Sequence, residues 1–397
     1  MDERRQRLAR LAVDGANVQP GQVMLVNAEL GQLETARAVA AAAYERGARF
    51  VDVQYFDPWV KLARLQNADP ETIEFVPEWY ADRMLRHAEL HGARVSLAGP
   101  TAPNLMEGID SSLVGRDRLP WLKEISQIVG ERSTNWCIVA CPTRPWAELV
   151  FPDLPPDEAY ERLWEQLGYV LRLDESDPGR AWDERMAVLN AAATRLSEQR
   201  FDALRFTGAG TDLTVGLLPT SAWMAGDFET VDGLRHLPNL PTEEVFTTPD
   251  PARTSGHVTS TKPLVLRDGT IIRGLRVRFE EGRAVEIEAD ENAAALRSAL
   301  AVDDAALRLG EVALVDGHGR IGPLGTVFYE TLLDENAASH IAFGSGFEFL
   351  VDGEDAERVN KSATHIDFMI GAPELEVDGL TEAGERVPVL RRGDWQI

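Results

Sequence analysis

The strongest constraint on the fold lies in residues 22–54, where a short apolar run, a helical period and a second apolar run follow one another closely. Gln22-Val23-Met24-Leu25-Val26-Asn27 reads as a buried strand. Ala, Val and Tyr then recur at helical spacing over Glu34–Arg46, and Gly47 ends the helix. Arg49-Phe50-Val51-Asp52-Val53-Gln54 is the next strand. Right-handed crossover geometry makes two strands joined in this way parallel neighbours. The pattern recurs with a helix near Pro77–His91, a strand Ala93-Arg94-Val95-Ser96-Leu97-Ala98 and a buried strand Asn135-Trp136-Cys137-Ile138-Val139-Ala140. Helices near Pro156–Leu171 and Ala181–Glu198 close this half. Residues 1–200 are therefore expected to form an α/β domain with an open, mostly parallel sheet.

From Phe201 onward the texture changes to short strands joined by glycine turns. Leu264-Val265-Leu266 and Thr270-Ile271-Ile272 flank Arg267-Asp268-Gly269, and Glu280-Glu281-Gly282-Arg283 joins Leu275–Phe279 to Ala284–Ile287. Helices are expected around Glu291–Leu300 and Asp303–Leu309. Residues 201–397 thus read as an α+β domain rich in antiparallel sheet. A chain of 397 residues suits two such domains at ~100–200 residues each.

Composition narrows the function. Hydrophobic residues make up 44% and charged residues 26%, an ordinary globular balance. A formal charge of −25 repels phosphate backbones, so no nucleic-acid partner is expected. No apolar run approaches the ~18 residues of a membrane span, and Met1-Asp2-Glu3-Arg4-Arg5-Gln6-Arg7 lacks a signal-peptide core. Cys137 and Cys141 read as core thiols in a reducing compartment, so the cytoplasm is the expected location.

Several chemistries have no foothold. A phosphate-binding loop, a dinucleotide fingerprint and a Gly-x-Ser-x-Gly elbow are all missing, and Thr207-Gly208-Ala209-Gly210-Thr211 reads as a tight strand connection. No organic cofactor site is expected. Among the histidines, His87 and His91 are expected on a solvated helix face. His236 and His318 are expected in loops, and His257 falls in a strand-like stretch.

His365-Ile366-Asp367 is different, because positions i and i+2 of a strand aim an imidazole and a carboxylate at the same face. That pair is a common half of a metal site. Asp367 leads into the apolar Phe368-Met369-Ile370-Gly371, where an unpaired carboxylate is costly. His340 stands before the apolar Ile341-Ala342-Phe343-Gly344. Glu244 stands in Leu240-Pro241-Thr242-Glu243-Glu244-Val245-Phe246, and Glu311 heads Val312-Ala313-Leu314-Val315. Each of these alone is as compatible with a satisfied or exposed residue as with a ligand. Together, carboxylates and two imidazoles suit a pair of divalent ions bridged by a carboxylate.

Asn239–Thr247, Ser260-Thr261-Lys262-Pro263-Leu264, Leu309-Gly310-Glu311, Asp334-Glu335-Asn336-Ala337, His340–Gly344, His365–Gly371 and Gly210–Thr214 carry a resemblance. In order and rough spacing the chain resembles the thermophilic metalloprotease family of aminopeptidases, the aminopeptidase T and S type. The resemblance implies metal ligands at Glu244, Glu311, His340, His365 and Asp367, with Glu244 favoured over Glu243 because the family tolerates a non-acid before the ligand. It also implies a homodimer and a metalloaminopeptidase acting on peptides with a free N-terminus. One position departs: the family usually has a tyrosine where this chain reads Phe347, which keeps the ring and loses the hydroxyl.

The expected mechanism is hydrolysis by water activated between two divalent ions (zinc, cobalt or manganese), with Glu311 or Glu243 as the base. Glu311 and Phe347 are accordingly the expected catalytic positions. The rival reading is a ring-cleaving dioxygenase of the dihydroxypyridine type, with one iron(II) on His340, His365 and Asp367. It leaves Glu244 and Glu311 without a role.

Overall fold

The computed structural model describes residues 2–120, 123–208, 210–266 and 269–397. It divides into two compact units, Met1–Glu184 with Gly226–Thr242, and Arg185–Ala225 with Glu243–Ile397.

The first unit is built on a five-stranded parallel sheet ordered Asn239–Leu240, Trp136–Ala140, Ala93–Ala98, Val23–Glu29, Phe50–Phe56. The first strand–helix–strand unit forms as its periodicity requires. Val23 pairs with Phe50 in parallel register, and the intervening helix Leu33–Glu45 buries Thr35, Ala36, Ala38, Val39, Ala42 and Ala43. Gly47 follows with a φ of +97°, a left-handed turn that a side chain would strain. Trp136–Ala140, Glu78–Glu89, Pro156–Val170 and Pro178–Gln199 lie where strand and helices were expected. The segment Gly226–Thr242 returns to this unit and adds Asn239–Leu240 to the sheet edge beside Trp136–Ala140.

Among the described residues the second unit holds two large antiparallel sheets and a two-stranded one. Eight strands make one, and the hairpin Arg276–Glu280 with Arg283–Glu288 ends it. Glu281 and Gly282 both take positive φ at that turn, which the strand twist favours. Leu264–Val265 pairs with Ile271–Ile272 as expected, although Arg267 and Asp268 of the connecting turn lie outside the described residues. The expected helix over Asp303–Leu309 is only a 3-10 turn, Asp304–Leu307, capped by Asp303; Leu309 already belongs to a strand. The other large sheet orders His365–Met369, His340–Gly344, Leu309–Val315, Glu244–Thr247 and Met224–Ala225. Every residue of Leu309–Val315 and of His340–Gly344 is buried. No described helix is long and apolar enough to cross a membrane.

Candidate metal centre

Register in the five-stranded sheet gathers the polar side chains. Glu311 is opposite Ala342, and Ala342 is opposite Asp367. Directly opposed residues share a face, so this row aims two carboxylates the same way with only a methyl group between them. His340 lies opposite Ala313, two residues along from Ala342 and Glu311, and His365 lies two residues before Asp367. Glu244 is opposite Val315, again in phase with Ala313 and Glu311. Four strands thus put Glu244, Glu311, His340, His365 and Asp367 on one face of one sheet. Rigid strands hold such a constellation better than loops do.

Within this face two groups have ligand atoms all within 4.8 Å of one another: Glu244, Glu311 and His340, and Glu311, His365 and Asp367. Glu311 belongs to both. His340 Nε2 lies 3.0 Å from Glu244 Oε2, and His365 Nε2 lies 3.0 Å from Glu311 Oε2 and 3.1 Å from Asp367 Oδ1. The far nitrogens are fixed by the backbone: His340 Nδ1 is 3.2 Å from the Ala338 carbonyl and His365 Nδ1 is 2.9 Å from the Ser345 carbonyl. A carbonyl only accepts, so in the neutral tautomer Nδ1 carries the proton and Nε2 offers a lone pair to the cluster.

Electrostatics sharpen the picture. Burial would depress the His340 imidazole, yet Glu244, Glu311 and Asp367 carry it up to about 10. His365, also opposed by burial, is raised well above its ordinary value by Asp367 and Glu311. Burial lifts Glu311, partly offset by His365, whereas the two imidazoles hold Asp367 low despite its burial. The donor set fits divalent cations. Glu244 Oε2 is buried without a hydrogen-bond donor although the His340 ring touches it, and a cation would satisfy both atoms.

Two further residues border the cluster. Glu335, in the turn Glu335–Ala337, is pushed well above the usual carboxylate range by burial and by Asp367, Glu244 and Glu311. In the sequence Glu335 stands within Asp334-Glu335-Asn336-Ala337 without an expected role; an acid five residues before His340 is the signal that could have found it. Phe347 packs its ring 5.6 Å from that of His365 and 5.2 Å from that of Phe246. Its backbone N–H donates to Thr248 Oγ1 at 2.8 Å. Glu243 faces elsewhere, fully buried, with Arg185 Nε donating to its carboxylate at 2.5 Å.

The remaining histidines stay outside the cluster. His257 and His318 are exposed, and His318 Nε2 is 3.0 Å from Asp394. His91 is exposed and paired with Asp232 at 2.8 Å. His87 departs from the expected solvated face: its Nε2 is buried, and a side chain at Gly92 would collide with the ring.

The thermophilic metalloprotease (M29) model matches residues 1–395. The chain belongs to this family. Aminopeptidase T of Thermus aquaticus is 41% identical, over 98% of this chain and 98% of that protein. Aminopeptidase PepS of Streptococcus thermophilus is 35% identical, over 100% and 98%. The solved structure of wild-type AmpT from Thermus thermophilus superposes with a TM-score of 0.92 at 39% identity, covering 99% of each chain. A member of the thermophilic metalloprotease family needs divalent metal, and the two triads sharing Glu311 offer a place for it. The dioxygenase reading finds no support. Among the described residues His340 and His365 fall into different ligand groups, and the relatives named above are aminopeptidases.

Proposed function

We propose that Glu244, Glu311, His340, His365 and Asp367 hold two divalent ions, with Glu311 shared between them, in an aminopeptidase that removes N-terminal residues from peptides. The observation that carries this reading is the pair of triads with one carboxylate in common, in which every ligand but the partly exposed His365 is buried. The aminopeptidase activity agrees with the family and with the names of its similar relatives. All five residues belong to the C-terminal stretch 201–397, which we take as the catalytic domain, with 1–200 as the α/β domain. Zinc, cobalt and manganese all suit mixed imidazole–carboxylate donors. A cytoplasmic homodimer remains part of the proposal.

Ions in this site would lower the pKa of a water and polarise the scissile carbonyl. The side chains do the rest. We take Glu335, in the turn just before His340, as the base, because burial and its acidic neighbours raise its proton affinity. It takes a proton from the attacking water and passes it to the leaving amine. Glu243 does not serve, since its carboxylate is bonded to Arg185 and is not part of either ligand group. The carboxylates around the cluster attract the substrate's free ammonium, which restricts cleavage to the first peptide bond. Phe347 offers a ring without a hydroxyl, so a tetrahedral oxyanion loses the phenol donor usual in relatives.

Rates on leucine amide and its N-acetylated form test the substrate reading. The free amide is expected to be hydrolysed and the blocked one left intact. Equal rates would point to an endopeptidase or amidase.

A further inference from the structure

The antiparallel ladder between Glu244–Thr247 and Leu309–Val315 ends with Glu244 opposite Val315, and the next residues on the two segments are Glu243 and Asp316. Two carboxylates therefore lie just past the end of the ladder that delivers Glu244, close enough to bond one guanidinium, and both side chains have 0% exposure. Like charges this close push the ladder end apart, and burial strengthens the repulsion. Arg185, from the helix Pro178–Gln199, lies between them. Its Nε donates to Glu243 Oε2 at 2.5 Å, while its two terminal nitrogens donate to Asp316 Oδ2 and Oδ1 at 3.0 and 2.9 Å. Trp395 Nε1 and the His318 backbone N–H complete the shell of Asp316, each at 2.9 Å. On the other side the Glu243 backbone N–H donates to Asn336 Oδ1 at 2.6 Å, which ties this strand to the turn carrying Glu335.

We propose that Arg185 is a positioning residue for the metal centre: by neutralising Glu243 and Asp316 it holds the strand end in register and sets the Glu244 carboxylate against His340. The guanidinium suits the task, because its rigid planar fork grips Asp316 with both terminal nitrogens while Nε reaches Glu243, a bidentate geometry that an ammonium does not offer. Its effect reaches the ions only through the register of the strand. This rests on Glu244 being a ligand, and the two ideas fail separately.

The test titrates metal-free protein with Co2+ against a competing chelator and records the Co2+ d–d absorption. Arg185→Met leaves the two carboxylates without their shared cation, and Co2+ affinity is expected to fall at least tenfold with an altered band, in the ~10–100-fold range for partners of metal ligands. Arg185→Met combined with Glu243→Gln removes one of the two like charges and is expected to return affinity to within about threefold of wild type. An Arg185→Met protein that is folded by circular dichroism, with wild-type affinity and spectrum, overturns the proposal. So does a double variant as weak as the single one. Where Arg185→Met does not fold, the double variant alone decides by the same limits. Glu244→Ala separates the two ideas: if it keeps Co2+, the ligand reading is wrong; if it loses Co2+ while Arg185→Met does not, only the role of Arg185 is wrong.

Discussion

The two units bury histidines in opposite ways. In the first, His87 and His236 are packed with Nε2 unpaired, and burial pushes both imidazoles down to about 4. His87 is lowered further by Arg94, and His236 sits among the rings of Trp136 and Phe228. In the second, His340 and His365 are surrounded by carboxylates and pushed to about 10 and well above the ordinary value. All four are at least partly buried and burial lowers each of them, so the neighbours decide. A buried imidazole among rings is a neutral packing group. A buried imidazole among several carboxylates holds a proton that a divalent cation would replace.

The largest effect that sharpens this contrast belongs to Glu335. Glu335→Gln keeps shape and removes the base, so turnover should drop by ~10²–10⁴ with metal content unchanged. Steady-state kinetics with elemental analysis checks it, and a mild loss would return the base role to Glu311.

Phe347→Tyr comes next. One oxyanion donor in a water-poor site contributes roughly 2.7–4 kcal/mol, or ~10²–10³ in turnover, and that sets the ceiling for the gain. Thr248 and the ring contacts with Phe246 and His365 already fix this position, so metal content should stay the same. Unchanged or lower turnover with metals bound would remove the missing-hydroxyl argument.

The smallest effect concerns the first unit. His87 and His236 have folded values of about 4, below the unfolded 6.5, so the unfolded chain binds more protons between those limits. Stability should therefore be full above pH 6.5 and decline as pH falls toward 4, by at most about 3 kcal/mol per histidine. Denaturant unfolding of His87→Gln and His236→Gln across that window should show a flatter decline. A decline as steep as the wild type's would mean that these rings do not stay neutral.

The sequence reveals these elements unevenly, for physical reasons. Val23–Glu29, Leu33–Glu45 and Phe50–Phe56 are legible because a period switch and a stop glycine mark them. His365 and Asp367 are legible because a strand repeats every two residues. Asn239–Leu240 is not, since two residues carry no period. Glu335 escapes for a similar reason, lying in a 3-10 turn beside Asp334 and Asn336, where spacing does not tell which acid faces the cluster. Arg185 bonds partners 58 and 131 positions away, and no local pattern announces such a pairing.

Glu311 tests the central claim most directly, because it is the one residue common to both triads. Metal-free protein reloaded with Zn2+ and freed of excess should carry two ions per chain by elemental analysis. Glu311→Ala, still folded, should retain fewer than two and should not hydrolyse leucine amide. A Glu311→Ala protein that keeps both ions and normal turnover would contradict a shared-carboxylate two-ion centre.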